Sequence, residues 1–359
     1  MIFIAWTKRY GRTDVGAVRS SALLEQLKMR EIYPLVIELW KPNSIMLQVR
    51  WIISTFLTLV TRKKQLVYVS CSPYKHLLIV LLGVILGRHK LVVDFRDAYS
   101  IDIRDKNYSG IYMLAKLTEK IIYRFCVKFI VVTPGLKKRY KEIFGNDKKI
   151  MVIPNGHEIS KETLDKLQHL QHRERRENFI KVVYPGMYSP YFKPEQARKY
   201  IYKLKEKIEG AGVDYEIVFV GTDKETKKLL RNEKNVKFIP DTNDSTRLSY
   251  EDTIKILNDA DLTFMPINSD YGCATKIYDY LALGLPIFNF IDKNNWLHEY
   301  ISERIINSCE NIRRFEMDYE GKYNRTNQMK KLSIYIADLA KEIGDPSYKK
   351  MDILHGKNN

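Results

Sequence analysis

The stretch YGCATKIYDYLALGLPIFNF, residues 271–290, gathers side chains that could do chemistry together. Gly272 breaks the chain and Thr275 is a capping residue type. Ile277, Tyr278, Leu281 and Ala282 fall at the spacing of one apolar helical stripe, which Gly284 and Pro286 bring to an end. Lys276 stands in the first turn of that helix and Asp279 one turn later. Free N–H groups and the dipole at a helix N-terminus attract an anion, and Lys276 would reinforce a diphosphate site there. Asp279 would lie within reach of ribose hydroxyls. A solvated lysine and an aspartate that merely favours the helix dipole fit this stretch equally well.

Other common chemistries are absent. Gly11 and Gly16 have the spacing of a phosphate-gripping loop, but Ala17 and Val18 stand where Lys and Ser or Thr are required. No GxGxxG follows a strand. His157-Glu158 and His298-Glu299 lack the second histidine of a zinc-protease helix. Asp259 and Asp261 have the spacing of a metal-holding acidic pair, but they close a helix and precede a strand, and two carboxylates do not supply the converging oxygens that a hard cation needs. No metal is expected.

The elements that must position these residues are legible as alternation. Short β-branched runs alternate with amphipathic stretches, the pattern of parallel sheets covered by helices, so the fold class is α/β. Strands are expected at 2–6, 35–40, 66–70, 91–95, 129–133 and 150–153, and runs as apolar as FIVVT and LVVDF suit a sheet buried on both faces. A second series runs through IKVVYPG, YEIVFVG, NVKFIP, DLTFMP and LPIFNF. At 359 residues the chain is long for one core. Two Rossmann-like domains are expected, at 1–157 and 179–322, joined by a charged linker at 158–178. A final segment at 323–359 carries a helical stripe at Met329, Leu332, Ile336, Leu339 and Ile343, expected to pack back on the first domain. Ligands of such sheets bind at the carboxyl ends of the strands, so two facing domains would form a cleft lined by strand-to-helix loops.

With 45% hydrophobic and 29% charged residues, the composition is that of a folded globular protein. Cys71, Cys126, Cys273 and Cys309 are scattered without paired spacing, which suits a reducing compartment. No secretory leader opens the sequence, and the longest uncharged apolar run, 77–87, falls short of the roughly 20 residues that span a bilayer. The net charge of +17 is unevenly placed: 27 Lys and Arg against 11 Asp and Glu up to His157, and 33 against 32 after it. A basic half beside a neutral half expects an anionic partner for the first. Within it, IMLQVRWIISTFLTLV (45–60) is apolar nearly all round. Such a helix is either buried or seated on an anionic membrane with Trp51 at headgroup level and Arg62, Lys63 and Lys64 on the phosphates.

Several blocks together resemble glycosyltransferase family 4: TPGLKKRY, VIPNG, NVKFIP, YEDTIKILNDADLTFMP and TKIYDYLALGLPIF, in the family's order and separations over about 91–290. The resemblance implies the two-Rossmann-domain GT-B architecture, a nucleotide-sugar donor (UDP-, GDP- or dTDP-linked), no metal or other cofactor, and retention of anomeric configuration. It places the family's second, ribose-contacting glutamate at Asp279. Its first glutamate falls at Tyr271, where Asp270 could substitute. The usual base after the glycine of the first strand, Gly186, is here Met187, and Lys193 lies one residue past the family's second phosphate-binding base, leaving Lys276, Lys193 and main-chain N–H groups for the diphosphate. LVVDFRDAYS resembles the strand end that carries a His-Asp or Arg-Asp pair, here Arg96-Asp97. Asp97 is thus the candidate to orient or deprotonate an acceptor hydroxyl, with Asp94 second. Gly16 and Arg19 match the family's glycine-containing first loop, which approaches phosphates and acceptor. The expected protein is a cytoplasmic glycosyltransferase, peripheral on the inner face of the cell membrane. It would act on a glycan or polyprenyl-diphosphate-linked acceptor in surface polysaccharide synthesis. A sugar-nucleotide epimerase of the same fold is the alternative. A nucleic-acid module, which would need phosphate-tracking bases with stacking aromatics, ranks last.

Overall fold

The computed structural model describes residues 1–5, 15–38, 45–71, 74, 76–101, 109–170, 178–188, 194–241, 248–266 and 269–347. The chain forms two compact units, one of residues 1–155 with 325–359 and one of residues 156–324.

In the first unit, six strands make one parallel sheet: β1 (Ile2–Ala5), β2 (Leu35–Glu38), β3 (Leu66–Cys71), β4 (Lys90–Phe95), β5 (Cys126–Val131) and β6 (Ile150–Val152). Their order is β2-β1-β3-β4-β5-β6, so the winding reverses between β1 and β3. Among the described residues, the connections include helices α1 (Val15–Lys28), α2 (Ile45–Thr61), α3 (Leu77–Leu86), α4 (Ser109–Phe125) and α5 (Pro134–Phe144). Parallel crossovers are right-handed, which puts α1 on one face of the sheet and α2, α3 and α4 on the other. The TPG sequence starts α5 by local rules: Thr133 Oγ1 accepts from the Leu136 N–H at 3.0 Å, Pro134 opens the first turn, and left-handed Gly145 (φ 79°) closes the helix.

The last helix of the chain, Arg325–Glu342 (α12), belongs to this unit and lies against α1. Met329, Leu332 and Ile336 share a buried cluster with Leu23 and Leu27 of α1 and with Phe3, Tyr68 and Val92 of the sheet. The stripe spaced three and four residues apart is thus the face that α12 buries.

The second unit begins at Gly156, earlier than the charge-dense segment suggests. Residues 158–170, expected as linker, contain helix α6 (Lys161–Leu170), whose Leu164 and Leu167 are buried among Val183, Val218 and Leu257. Two leucines one turn apart suffice to seat a short helix, and the surrounding charges are its solvent face. Residues 171–177 lie outside the described residues. Strands β7 (Phe179–Pro185), β8 (Asp214–Val220) and β9 (Val236–Ile239) form one parallel ladder, and β10 (Thr263–Phe264), β11 (Ile287–Phe288) and β12 (Ile305–Ile306) form another. A parallel bridge between Val182 and Leu262 joins them into the order β9-β8-β7-β10-β11-β12. The connecting helices are α7 (Pro194–Gly210), α8 (Lys224–Leu230), α9 (Tyr250–Asn258), α10 (Lys276–Ala282) and α11 (Trp296–Tyr300). Here the winding reverses between β7 and β10, where open α/β sheets bind ligands at the carboxyl ends of their strands.

Gly284 ends α10 at φ +65°, and a Cβ there would run into the Phe315 carbonyl, so the position admits glycine for both reasons. All four cysteines are free. Among the described residues, no helix is long and apolar enough to cross a membrane.

Candidate functional site

At the carboxyl end of β7 the chain turns through Gly186, held at φ +79° with its N–H on the Val220 carbonyl at 2.7 Å. The turn is braced from β8: Asp223, whose Oδ1 accepts the Thr226 N–H as the cap of α8, takes the Tyr188 N–H on Oδ2 at 3.1 Å. Lys276 reaches into this turn from α10. Its Nζ donates to the Pro185 carbonyl at 2.6 Å, lies 3.5 Å from the Met187 carbonyl, and sits 3.7 Å from the centre of the Tyr184 ring. Although Lys276 as a whole is half-buried, its amine is enclosed by protein. That burial pushes its pKa down to about 7, against the opposing pull of the Asp279 and Asp223 carboxylates.

Asp279, one turn on, accepts the Tyr250 hydroxyl at 2.6 Å, and the same oxygen of Tyr250 receives the Glu158 N–H at 3.3 Å. Burial beside the Asp279 charge raises the Tyr250 pKa, so the phenol stays a donor. Upstream of α10, the Ser269 hydroxyl accepts the N–H groups of Tyr271 and Gly272 at 3.3 and 3.0 Å, and Asn295 holds the Ser269 carbonyl at 3.1 Å. Asp270 is exposed on this loop.

Two expectations for the start of α10 change. Thr275 has helical dihedrals and makes no side-chain cap. The N–H groups of Ile277 and Tyr278 already bond to the carbonyls of Ala274 and Thr275. The positive group at this turn is the Lys276 amine, and the first helical N–H groups of Ile277 and Tyr278 are already bonded. Lys193 lies outside the described residues.

In the first unit, Arg19 and Asp94 were expected to face a ligand, but both are buried, at 1% and 0% exposure. Arg19 Nε meets Asp94 Oδ2 at 2.8 Å and Nη2 meets Oδ1 at 3.3 Å, while the Tyr68 hydroxyl donates to Oδ2 at 2.6 Å. Arg19 Nη1 donates to the Pro154 carbonyl at 2.9 Å. The cluster ties α1, β3 and β4 to the VIPNG turn, which is the work of a strut. Gly16 lies in the first turn of α1.

Asp97 is exposed and Arg96 half-buried, just past the end of β4. Their turn is held from three sides. Tyr74 donates to the Asp97 carbonyl at 2.6 Å and stacks on Tyr99 at 4.4 Å. Buried Glu119 of α4 accepts the Ser100 N–H at 3.1 Å, the Ser100 hydroxyl, and the Tyr140 hydroxyl at 2.8 Å. Burial raises the Glu119 carboxyl to about 7 in spite of those bonds. Glu119, Tyr74 and Tyr250 were not found from the sequence. Glu119 carried a faint signal, as the single carboxylate in the helix that follows the Arg96-Asp97 turn.

Asp259 and Asp261 bind the amino end of β7, through the Lys181 amine at 2.6 Å and the Lys181 N–H at 2.9 Å, the end opposite Gly186. Among the described residues, no three His, Cys, Asp or Glu side chains could together hold a metal ion. On α2, Trp51 is half-buried, donates to the Glu38 carbonyl at 2.7 Å and tilts against His76, whereas Arg62, Lys63 and Lys64 are exposed.

No protein-family model matches the chain, and no curated protein matches it in sequence. Solved structures do resemble it in three dimensions. HepE of Anabaena in complex with UDP-glucose is 14% identical with a TM-score of 0.55, over 96% of this chain and 97% of that one. The same protein in complex with UDP is 13% identical with a TM-score of 0.55, over 96% and 98%. An Escherichia coli trehalose-6-phosphate synthase bound with UDP-2-fluoro glucose is 10% identical with a TM-score of 0.52, over 97% and 99%. At these identities the likeness shows the fold, an α/β GT-B architecture of two Rossmann-like units.

The strut gives a stability prediction. Asp94→Ala leaves the buried Arg19 charge unanswered and lowers the unfolding free energy by about 3–5 kcal/mol. The double variant Arg19→Met, Asp94→Leu recovers most of that loss in urea denaturation. Wild-type stability in Asp94→Ala would show that the cluster carries no structural burden.

Proposed function

We propose that the protein is a metal-independent, retaining glycosyltransferase that moves a sugar from a nucleotide-diphosphate sugar to a hydroxyl of a glycan or polyprenyl-diphosphate-linked oligosaccharide. The observation that carries the reading is the Lys276 ammonium enclosed at the Gly186 turn, with the Asp279–Tyr250 pair one helical turn away. These contacts support reading the pair as an anion site beside a hydroxyl-binding carboxylate. A diphosphate offers Lys276 stronger acceptors than two carbonyls, and a ribose offers Asp279 the vicinal hydroxyls that a carboxylate accepts best. The solved structures that share the fold hold UDP or UDP-sugars, which supports a uridine nucleotide first among the candidates.

In the transfer, the bond between the anomeric carbon and the diphosphate oxygen breaks as the acceptor oxygen bonds to that carbon from the face the diphosphate leaves, which retains the configuration. Negative charge develops on the leaving diphosphate, where Lys276 stabilises it without a divalent cation. The acceptor proton is taken up by Asp97, which is exposed past the end of β4 on a turn fixed by the Tyr74 and Glu119 contacts. Arg96 accompanies it as the second charge of that turn. The lipid-linked acceptor and a peripheral place on the inner face of the membrane, in surface polysaccharide synthesis, are supported by the basic bias of the first half.

Donor variants test the first half of this reading. Asp279→Ala weakens UDP-sugar binding about 10- to 100-fold, the loss of a charge-assisted hydrogen bond of roughly 1.5–3 kcal/mol. Lys276→Ala weakens it further, and calorimetry reads both. Unchanged affinity in folded variants overturns the site. Conversion of the nucleotide sugar alone, with no acceptor, would identify an epimerase instead.

Asp97→Asn tests the second half: it retains donor affinity and loses most transfer, because an amide cannot accept the hydroxyl proton. Full transfer by this variant would make Asp97 a structural residue of its turn.

A further inference from the structure

Three helices of the first unit leave an apolar surface unpartnered. α2 packs against α3, with Gly83 flush on Leu59 and near Phe56, and α3 packs against α4, so the three cover one face of the sheet side by side. Their inner residues fill the core, but the outer rows remain exposed: Ile53 and Leu57 on α2, Leu82 and Leu86 on α3, Leu114 and Leu117 on α4, each between 50% and 59% accessible. Exposed apolar rows on three neighbouring helices exceed the scattered single hydrophobes that ordinary surfaces carry. A shallow hollow of about 530 Å³ along α2 opens onto the same face.

Charge selects the occupant. Across residues 45–64, 77–90 and 109–125 there are nine Lys and Arg, and the single carboxylate, Glu119, is buried inside. Among the described residues of these three stretches, every exposed formal charge is therefore positive, Lys63 and Lys64 at the end of α2 and Lys120 on α4 among them. A second copy of the chain meeting the face with itself would set two such arrays against each other. An anionic lipid surface answers both features, taking apolar rows into the acyl boundary and the lysines and arginines onto phosphates. α12, by contrast, exposes both signs, Asp338 and Glu342 beside Lys330, Lys331 and Lys341.

We propose that the α2–α3–α4 face is a docking surface for an anionic phospholipid bilayer, on which the protein lies in the interface without crossing it. Docking is carried by the outer rows of all three helices, not by Trp51, whose indole N–H is bonded to Glu38. The inference deepens the lipid-linked acceptor reading by naming the surface that meets the lipid, and it rests on that reading for its purpose alone.

Sedimentation of the full chain with phosphatidylglycerol–phosphatidylcholine vesicles and with phosphatidylcholine vesicles, at low and high salt, tests it. Wild type binds the anionic vesicles at least tenfold better, and high salt reduces that preference. Two variants at exposed positions separate the contributions: Leu82→Asp with Leu114→Asp removes the apolar rows, and Lys63→Glu with Lys64→Glu reverses local charge. Each lowers vesicle partition at least tenfold while leaving the melting temperature and UDP binding unchanged. Equal binding to both vesicle types, or undiminished binding by the aspartate variant, overturns the proposal. So does a wild-type dimer in sedimentation equilibrium that the aspartate variant converts to monomer, since the face would then be an interface between copies. Because vesicle binding needs no donor and UDP binding is measured apart, loss of the donor reading leaves this result interpretable.

Discussion

The second unit is organised around one enclosed ammonium. Lys276 leaves the first turn of α10 and crosses to the end of β7, where its amine rests on the Pro185 carbonyl and the face of Tyr184. A charge in such a place costs solvation, and the protein meets it with a carbonyl dipole and a ring quadrupole. That placement draws on the Asp279 and Asp223 carboxylates as well, though burial outweighs their pull. It also requires the surrounding frame to be stiff: Gly186 must turn at positive φ, Asp223 must brace Tyr188, and β7 must lie beside β10 at the reversal of strand order.

The first unit solves a different problem, that of fixing loops at the ends of a parallel sheet. Two of its buried carboxylates, Asp94 and Glu119, do this in contrasting ways. Asp94 is paired with Arg19 and so links β4 to the VIPNG turn through charge. Glu119 has hydroxyl and amide donors but no cationic partner in those bonds, and burial lifts its carboxyl to about 7. The exposed Asp97 is positioned by the second cluster, through Ser100 and the Tyr99–Tyr74 stack.

Much of this frame was legible because it is local. The apolar runs at 91–95 and 129–131 are strands since a parallel sheet buries both faces, and the Thr-Pro-Gly start and glycine end of α5 follow from capping alone. Lys276 and Asp279 were found because they share one helix. Their partners were not, since Pro185 lies 91 residues and Tyr250 29 residues away, and spacing says nothing of contacts made through folding. The same limit hid the Arg19–Asp94 pair, 75 residues apart, where each residue alone was read as a candidate site residue. The charged segment after Gly156 was misread for the opposite reason: Leu164 and Leu167 are too few to register against many charges, yet they are enough to seat a helix.

A diphosphate held by Lys276 would be reported directly by protons. With its pKa near 7, the amine is mostly neutral at pH 8, and a bound diphosphate would favour the ammonium and raise that value. Calorimetric titration with UDP at pH 8, in buffers of different ionisation enthalpy, measures the protons exchanged. The account predicts uptake of roughly one proton per UDP in the wild type and none in Lys276→Met. Binding without proton uptake, or uptake that persists in Lys276→Met, would contradict it.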